Sequence, residues 1–240
     1  MSPEIIIDKP EGVPEALARR FEDEARRAVE ARGRFAVALP GGSVAGACFP
    51  RLAASTVDWS RTEFFWGDER AVPAGDPDSN YLPARSLWLD RIPVDERRVH
   101  RLRGELADLE AAAAEYEAEL LRTLGAPPRL DLAILGVGPD GHICSLFPGH
   151  PLLKERSRWV AAVHDSPKPP PRRLTLTLPT LLAARGVAVV ALGAAKAGVV
   201  KAALEDRASE LPVALVARGA PRVLFLLDEG AASLLAGAGR

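Results

Sequence analysis

Cysteine is nearly absent from this sequence: Cys48 and Cys144 are the only two among 240 residues. Two such residues with no metal-type spacing make neither a disulfide framework nor a Cys–His metal set, and they suit a reducing, cytoplasmic setting. Net charge is lacking too. The 31 Lys and Arg nearly cancel the 32 Asp and Glu, leaving −1. The whole chain therefore offers no attraction to nucleic acid or to an anionic membrane, and any anion-binding site has to be local. Long apolar runs are missing as well. The longest uncharged stretch, Phe35 to Pro50, is broken by prolines and glycines and is too short to span a bilayer. The first ten residues carry Glu4, Asp8 and Lys9, unlike a signal peptide. His100, His150 and His164 lack ligand spacing to one another, so neither a metal nor another cofactor is expected.

What is present is ordinary globular composition, 48% hydrophobic and 26% charged, with a length that suits one large α/β domain or two small ones. Apolar runs and helical periodicities alternate along the chain. Short strands are expected at 4–7, Phe35–Leu39, Glu63–Trp66, Leu132–Leu135, Arg158–Val163, Leu174–Leu178, Val187–Leu192 and Val223–Leu227, with a possible edge strand at Val99–Leu102. Between them lie helical segments: Pro14 to Gly33, with Leu17, Phe21, Ala25 and Val29 on one face; Val44 to Ala54; one bearing Leu82, Leu87 and Leu89; Leu109 to Leu124, halted by Gly125; Leu181 to Ala184; one carrying Lys196; and a closing helix with Leu234 and Leu235. There is no internal repeat and no low-complexity linker. The pattern implies one doubly wound α/β domain over residues 1–240, with a mostly parallel sheet.

The polar residues of interest sit where such strands end. Pro40-Gly41-Gly42-Ser43 passes from a strand into a helix, so backbone N–H groups converge at a positive helix terminus; Ser43 adds a hydroxyl, or simply caps the helix. Asp68-Glu69-Arg70 follows a strand, either as a solvated turn or as part of a site. Gly136 to Gly141 formally spells G-x-G-x-x-G, but Pro139 removes a donor and Asp140 would repel a pyrophosphate, so dinucleotide binding is set aside. Asp140 and His142 in that loop read either as a helix cap or as an acid–base pair. Lys196 in a first helical turn opposes the dipole unless an anion arrives, and Arg173 precedes a strand from which it can reach the same crevice. In a doubly wound sheet these loops gather at one edge.

Taken in order, Pro40–Ser43, Trp66-Gly67-Asp68-Glu69-Arg70 with Ser79-Asn80-Tyr81, Gly136 to Gly149, Arg173 to Pro179 and Gly193 to Ala197 resemble the 6-phosphogluconolactonase family. The resemblance covers nearly the whole chain and is most specific at Asp140-Gly-His-Ile-Cys-Ser-Leu-Phe-Pro-Gly149. It implies a Rossmann-like fold shared with glucosamine-6-phosphate deaminase, whose own motif places a glutamate where this chain has Phe147 and a tyrosine where it has Arg70. The chain departs from the usual lactonase pattern at Val44-Ala45 and at Cys144.

The activity implied is hydrolysis of 6-phospho-D-glucono-1,5-lactone to 6-phosphogluconate, in the oxidative branch of the pentose phosphate pathway, by a monomer or small homo-oligomer. On that resemblance His142 is the base, with Asp68 or Asp140 orienting it or the water. The 41–43 loop supplies backbone donors, and Arg70, Arg173 and Lys196 face the phosphate. Two other readings stay open: a deaminase or isomerase, and a catalytically silent sugar-phosphate sensor. The second would need a partner module, for which no segment looks long enough.

Overall fold

The computed structural model describes residues 2–236. The strands are β1 (Glu4–Asp8), β2 (Phe35–Leu39), β3 (Thr62–Trp66), β4 (Asp68–Arg70), β5 (Leu132–Gly136), β6 (Val160–Val163), β7 (Arg173–Leu176), β8 (Val187–Ala191) and β9 (Val223–Asp228). The helices are α1 (Gly12–Arg32), α2 (Gly42–Ala53), α3 (Tyr81–Leu87), α4 (Leu109–Leu124), α5 (Leu178–Ala183), α6 (Ala197–Glu205), α7 (Pro212–Gly219) and α8 (Glu229–Ala232).

Six strands form the main sheet in the order β1-β9-β8-β5-β2-β3, and every pairing in it is parallel. Strands β2, β3, β8 and β9 are buried at every residue. That is why, apart from Thr62 and Glu63 of β3 and Asp228 of β9, they read as apolar runs rather than as alternation. From β2 the chain winds outward through α2 to β3. From β5 it winds the other way, to β8 and β9. The order therefore reverses between β2 and β5, which lie side by side, and the loops leaving their carboxyl ends diverge into a crevice.

Helix α1 buries Leu17, Phe21, Ala25 and Ala28. The Phe21 ring lies 5.1 Å from Phe35, 5.4 Å from Trp88 and 6.1 Å from Trp59 between centroids. Truncating so completely enclosed a phenylalanine costs about 3–5 kcal/mol. Asp131, just before β5, accepts from the Ala36 N–H at 2.9 Å and from Arg32 Nε at 3.0 Å. It ties the end of α1 and the start of β2 to the strand that leads into the site.

Several elements differ from the sequence expectation. Strands β4, β7 and β6 form a small antiparallel sheet of their own. Its first strand was hidden in a charge run, because Asp68 and Glu69 are buried with their carboxylates satisfied by hydrogen bonds. The strand expected to reach Leu178 stops at Leu176, since Leu178 and Pro179 open α5. Val99 makes only an isolated bridge to Phe64. Helix α7 was unforeseen, and Leu234 and Leu235 fall in turns beyond α8.

Candidate active site

Helix α2 starts almost directly from β2. Its N-cap, Gly41, has an extended backbone and no side chain caps the helix. Ser43 does not act as the cap expected of it; it stands exposed in the first turn. The leading N–H groups of α2 therefore open onto a cleft walled by Gly41, Gly42 and Ser43, where the helix dipole favours an anion. Gly41 is needed for close approach: a Cβ there would lie 1.9 Å from Asn80 Oδ1.

Lys196 reaches the same cleft from a 3₁₀ turn, Ala194–Lys196, ahead of α6. The last residue of β9 fixes that turn. Asp228 accepts from the Gly193 N–H at 2.8 Å and from the Ala231 N–H at 2.7 Å. Burial, then the charge of Lys168, push the Lys196 ammonium below its ordinary pKa; a bound anion counters both effects.

The loop after β5 brings Asp140 and His142 together, with Nδ1 of the imidazole 2.5 Å from Asp140 Oδ1. No helix begins at His142, so Asp140 is not a helix cap. The turn is closed by the Gly138 N–H donating to the His142 carbonyl and the Gly141 N–H to the Gly138 carbonyl, both at 2.9 Å. A carboxylate that close assigns the proton to Nδ1 and leaves a lone pair on Nε2. Among the described residues Nε2 has no hydrogen-bond partner, and His142 lines the cleft. Burial draws the imidazole pKa below its usual 6.5, against the opposing pull of Asp140. Burial would raise Asp140 too, but hydrogen bonds from His142 and Lys168 outweigh it and bring the carboxyl to about 2. The Phe147 ring packs 4.9 Å from the imidazole.

Asp68 also lines the cleft but makes no hydrogen bond to His142. Its carboxylate accepts from Ser145 Oγ at 2.7 Å and from Asn80 Nδ2 at 3.2 Å. Orientation of the imidazole thus falls to Asp140. Glu69 turns away from the cleft and accepts from Ser79 Oγ and from the N–H groups of Arg70, Asn80 and Tyr81, which sets the turn that delivers Asn80. Arg70 edges the cleft while Nη1 donates to the Asp78 carbonyl at 2.6 Å. Between these groups Cys144 takes φ +48°, a left-handed conformation that costs a non-glycine residue on the order of 1–3 kcal/mol. The bonds of Ser145 to Asp68 and to Thr175 Oγ1 hold it there.

Arg173 departs from its expected part. Its guanidinium touches the cleft, but Nε donates to the Pro170 carbonyl at 2.9 Å and Nη2 to those of Lys168 and Pro169 at 3.1 and 3.0 Å. Those donors brace a loop, and Nη1 donates to Ser145 Oγ at 3.5 Å. Sequence reasoning missed Lys168, whose Nζ lies 3.0 Å from Asp140 Oδ1. A lysine at the head of a proline run reads as a spacer, and only the fold brings it to the loop after β5. Among the described residues no group of three or more His, Cys, Asp or Glu is placed to hold a metal, and no helix is long and apolar enough to cross a membrane.

Comparison with known proteins agrees with this geometry. The family model described as glucosamine-6-phosphate isomerases/6-phosphogluconolactonase matches residues 8–225. A 6-phosphogluconolactonase of Streptomyces coelicolor is 42% identical over 98% of this chain and 95% of its own length. The solved 6-phosphogluconolactonase of Trypanosoma brucei superposes with a TM-score of 0.85 at 30% identity, covering 98% of this chain and 99% of that one. A monomeric glucosamine-6-phosphate deaminase shares the fold, with a TM-score of 0.82 at 23% identity over 96% of this chain and 99% of that one.

Proposed function

The chain belongs to the family of glucosamine-6-phosphate isomerases and 6-phosphogluconolactonases, and from that premise we propose that it hydrolyses 6-phospho-D-glucono-1,5-lactone to 6-phospho-D-gluconate, in the oxidative branch of the pentose phosphate pathway. The observation that carries this is the Asp140–His142 pair, with its unpartnered Nε2, in a cleft also lined by an uncapped helix terminus and a lysine. A lactone needs a base for water at one end and, in this substrate, an anion cradle at the other.

Nε2 of His142 removes a proton from water as the new C–O bond forms at the lactone carbonyl carbon. The carbonyl π pair moves onto oxygen. When the tetrahedral species collapses, the bond to the ring oxygen breaks, and that oxygen takes the proton back from Nε2. The imidazole ends as it began. Asp140 holds the ring and stabilises the imidazolium in between. Asp68, tied to Ser145 and Asn80, is the carboxylate left to hold the water or a sugar hydroxyl. The N–H groups at the start of α2, with Lys196 and the free edge of Arg70, receive the phosphate. Phe147 stands beside the base, where a deaminase would place its glutamate, and supplies no second titratable group there. The two free cysteines suit a reducing cytoplasm.

Lys196 acts through binding. Lys196→Ala raises KM for the lactone roughly tenfold or more and lowers kcat far less, unless phosphate binding is used in the transition state. Initial rates over a substrate series check this; saturation at the wild-type concentration removes Lys196 from the cradle. The reaction itself is tested by lactone loss against the spontaneous rate; decay at the spontaneous rate alone refutes it.

A further inference from the structure

The pair at the heart of the site is a triangle. Lys168 Nζ lies 3.0 Å from Asp140 Oδ1 and 3.2 Å from His142 Nδ1, and those two atoms are 2.5 Å apart. Only one arrangement of protons suits it. If Nδ1 accepted from the ammonium, no proton would lie between the imidazole and a carboxylate oxygen 2.5 Å away, and their lone pairs would repel. With Nδ1–H donating to Asp140, the ammonium also donates to Asp140. Its contact with Nδ1 is then one donor against another, tolerable beside a neutral ring and costly beside an imidazolium.

We propose that Lys168 is a positioning residue that fixes the protonation of the Asp140–His142 pair, its ammonium holding the carboxylate in place and keeping the imidazole neutral until water is attacked. This rests on His142 being the base. A carboxylate in contact with an imidazole favours the charged ring, commonly by about 1–3 pH units, and a ring already protonated at Nε2 accepts nothing from water. Lys168 offsets that pull. It also makes the imidazolium, once formed, a stronger acid toward the departing ring oxygen.

The loop around Lys168 is built to hold it still. Its carbonyl accepts from Ser166 Oγ at 2.8 Å and from Arg173 Nη2 at 3.1 Å. The Ser166 N–H donates to the Pro171 carbonyl at 2.9 Å. This explains why Arg173, a buried cation in the cleft wall, commits its donors to three consecutive carbonyls of residues 168–170. Other charges face His142 as well. Asp68 on β4 acts in the same sense as Asp140, whereas Lys196 before α6 is coupled to both Lys168 and Asp140. Arg70 and Arg173 also line the cleft, Arg173 over the Phe147 ring that packs beside the imidazole, and the Cys144 thiol, raised by burial, stays uncharged. Lys168 is the cation in contact with the pair.

Two substitutions separate charge from shape: Lys168→Met removes the ammonium, and Lys168→Arg keeps a cation. The kcat/KM profile is measured between about pH 5 and 8.5, alongside NMR titration of the His142 ring. A neutral base is active above its pKa, so activity falls as pH drops through it. Lys168→Met moves that acid limb upward by about one pH unit, so that kcat/KM falls roughly tenfold near pH 6 and changes little near pH 8; Lys168→Arg keeps the wild-type limb. An acid limb and a ring titration both unmoved in Lys168→Met overturn the assignment, whether or not the rate falls uniformly. A ring titration that moves while the rate limb stays put upholds the effect of Lys168 on the pair and refutes His142 as the base.

Discussion

His142→Ala lowers kcat for lactone hydrolysis by about a hundred- to ten-thousand-fold, the range for loss of a positioned general base, and leaves KM within a few-fold. The asymmetry follows from the site. In the proposed mechanism His142 Nε2 meets the water and the ring oxygen, whereas the phosphate is assigned to α2 and Lys196, which line the cleft from other loops. Nothing in the variant disturbs that cradle. Steady-state rates with a thermal melt beside them decide the matter. A folded variant with wild-type kcat removes His142 from the chemistry, and an equal loss through KM alone makes it a binding residue.

Gly138→Ala, a change of one methyl group, produces a loss of the same order. A Cβ at residue 138 would lie 2.0 Å from His142 Nδ1 and 2.5 Å from Asp140 Oδ1. Those are far inside van der Waals contact, so the imidazole or the carboxylate has to leave its place. Gly138 does not have the positive φ of Gly141 beside it, so the backbone accepts alanine and the injury is confined to the pair. A misplacement of about 1 Å in reacting groups is enough for a loss near a hundredfold. The variant is expected to melt close to the wild type while kcat collapses and KM holds. Wild-type turnover would mean that the pair tolerates displacement and that its geometry is not what catalyses.

Much of this molecule was legible in its sequence because buried parallel strands leave a plain mark. FAVAL and VAVVA are apolar from end to end, TEFFW is apolar from Phe64 onward, and glycines follow the carboxyl ends of β2, β3, β5 and β8, where the site loops begin. Asp68, Arg70, His142, Arg173, Lys196 and the 41–43 loop all reach one cleft, since strand order in a doubly wound sheet gathers such loops. Strand β4 was hidden because three consecutive charged residues read either as a solvated turn or as part of a site, while the burial of Asp68 and Glu69 depends on Ser79, Asn80 and Ser145, partners remote in sequence. The choice between Asp68 and Asp140 was likewise a matter of distance. Arg173 and Lys168 exchanged expected parts for a similar reason. Residue type announces a cation, but only the carbonyls of residues 168–170 reveal that one cation braces the other.

Generating the lactone in place from glucose 6-phosphate and following its disappearance with and without the protein tests the central claim most directly, with glucosamine 6-phosphate offered in parallel. The expected result is lactone loss well above the spontaneous rate and no ammonia from the amino sugar. Lactone decaying only at its spontaneous rate, or ammonia released by the folded protein, would contradict it.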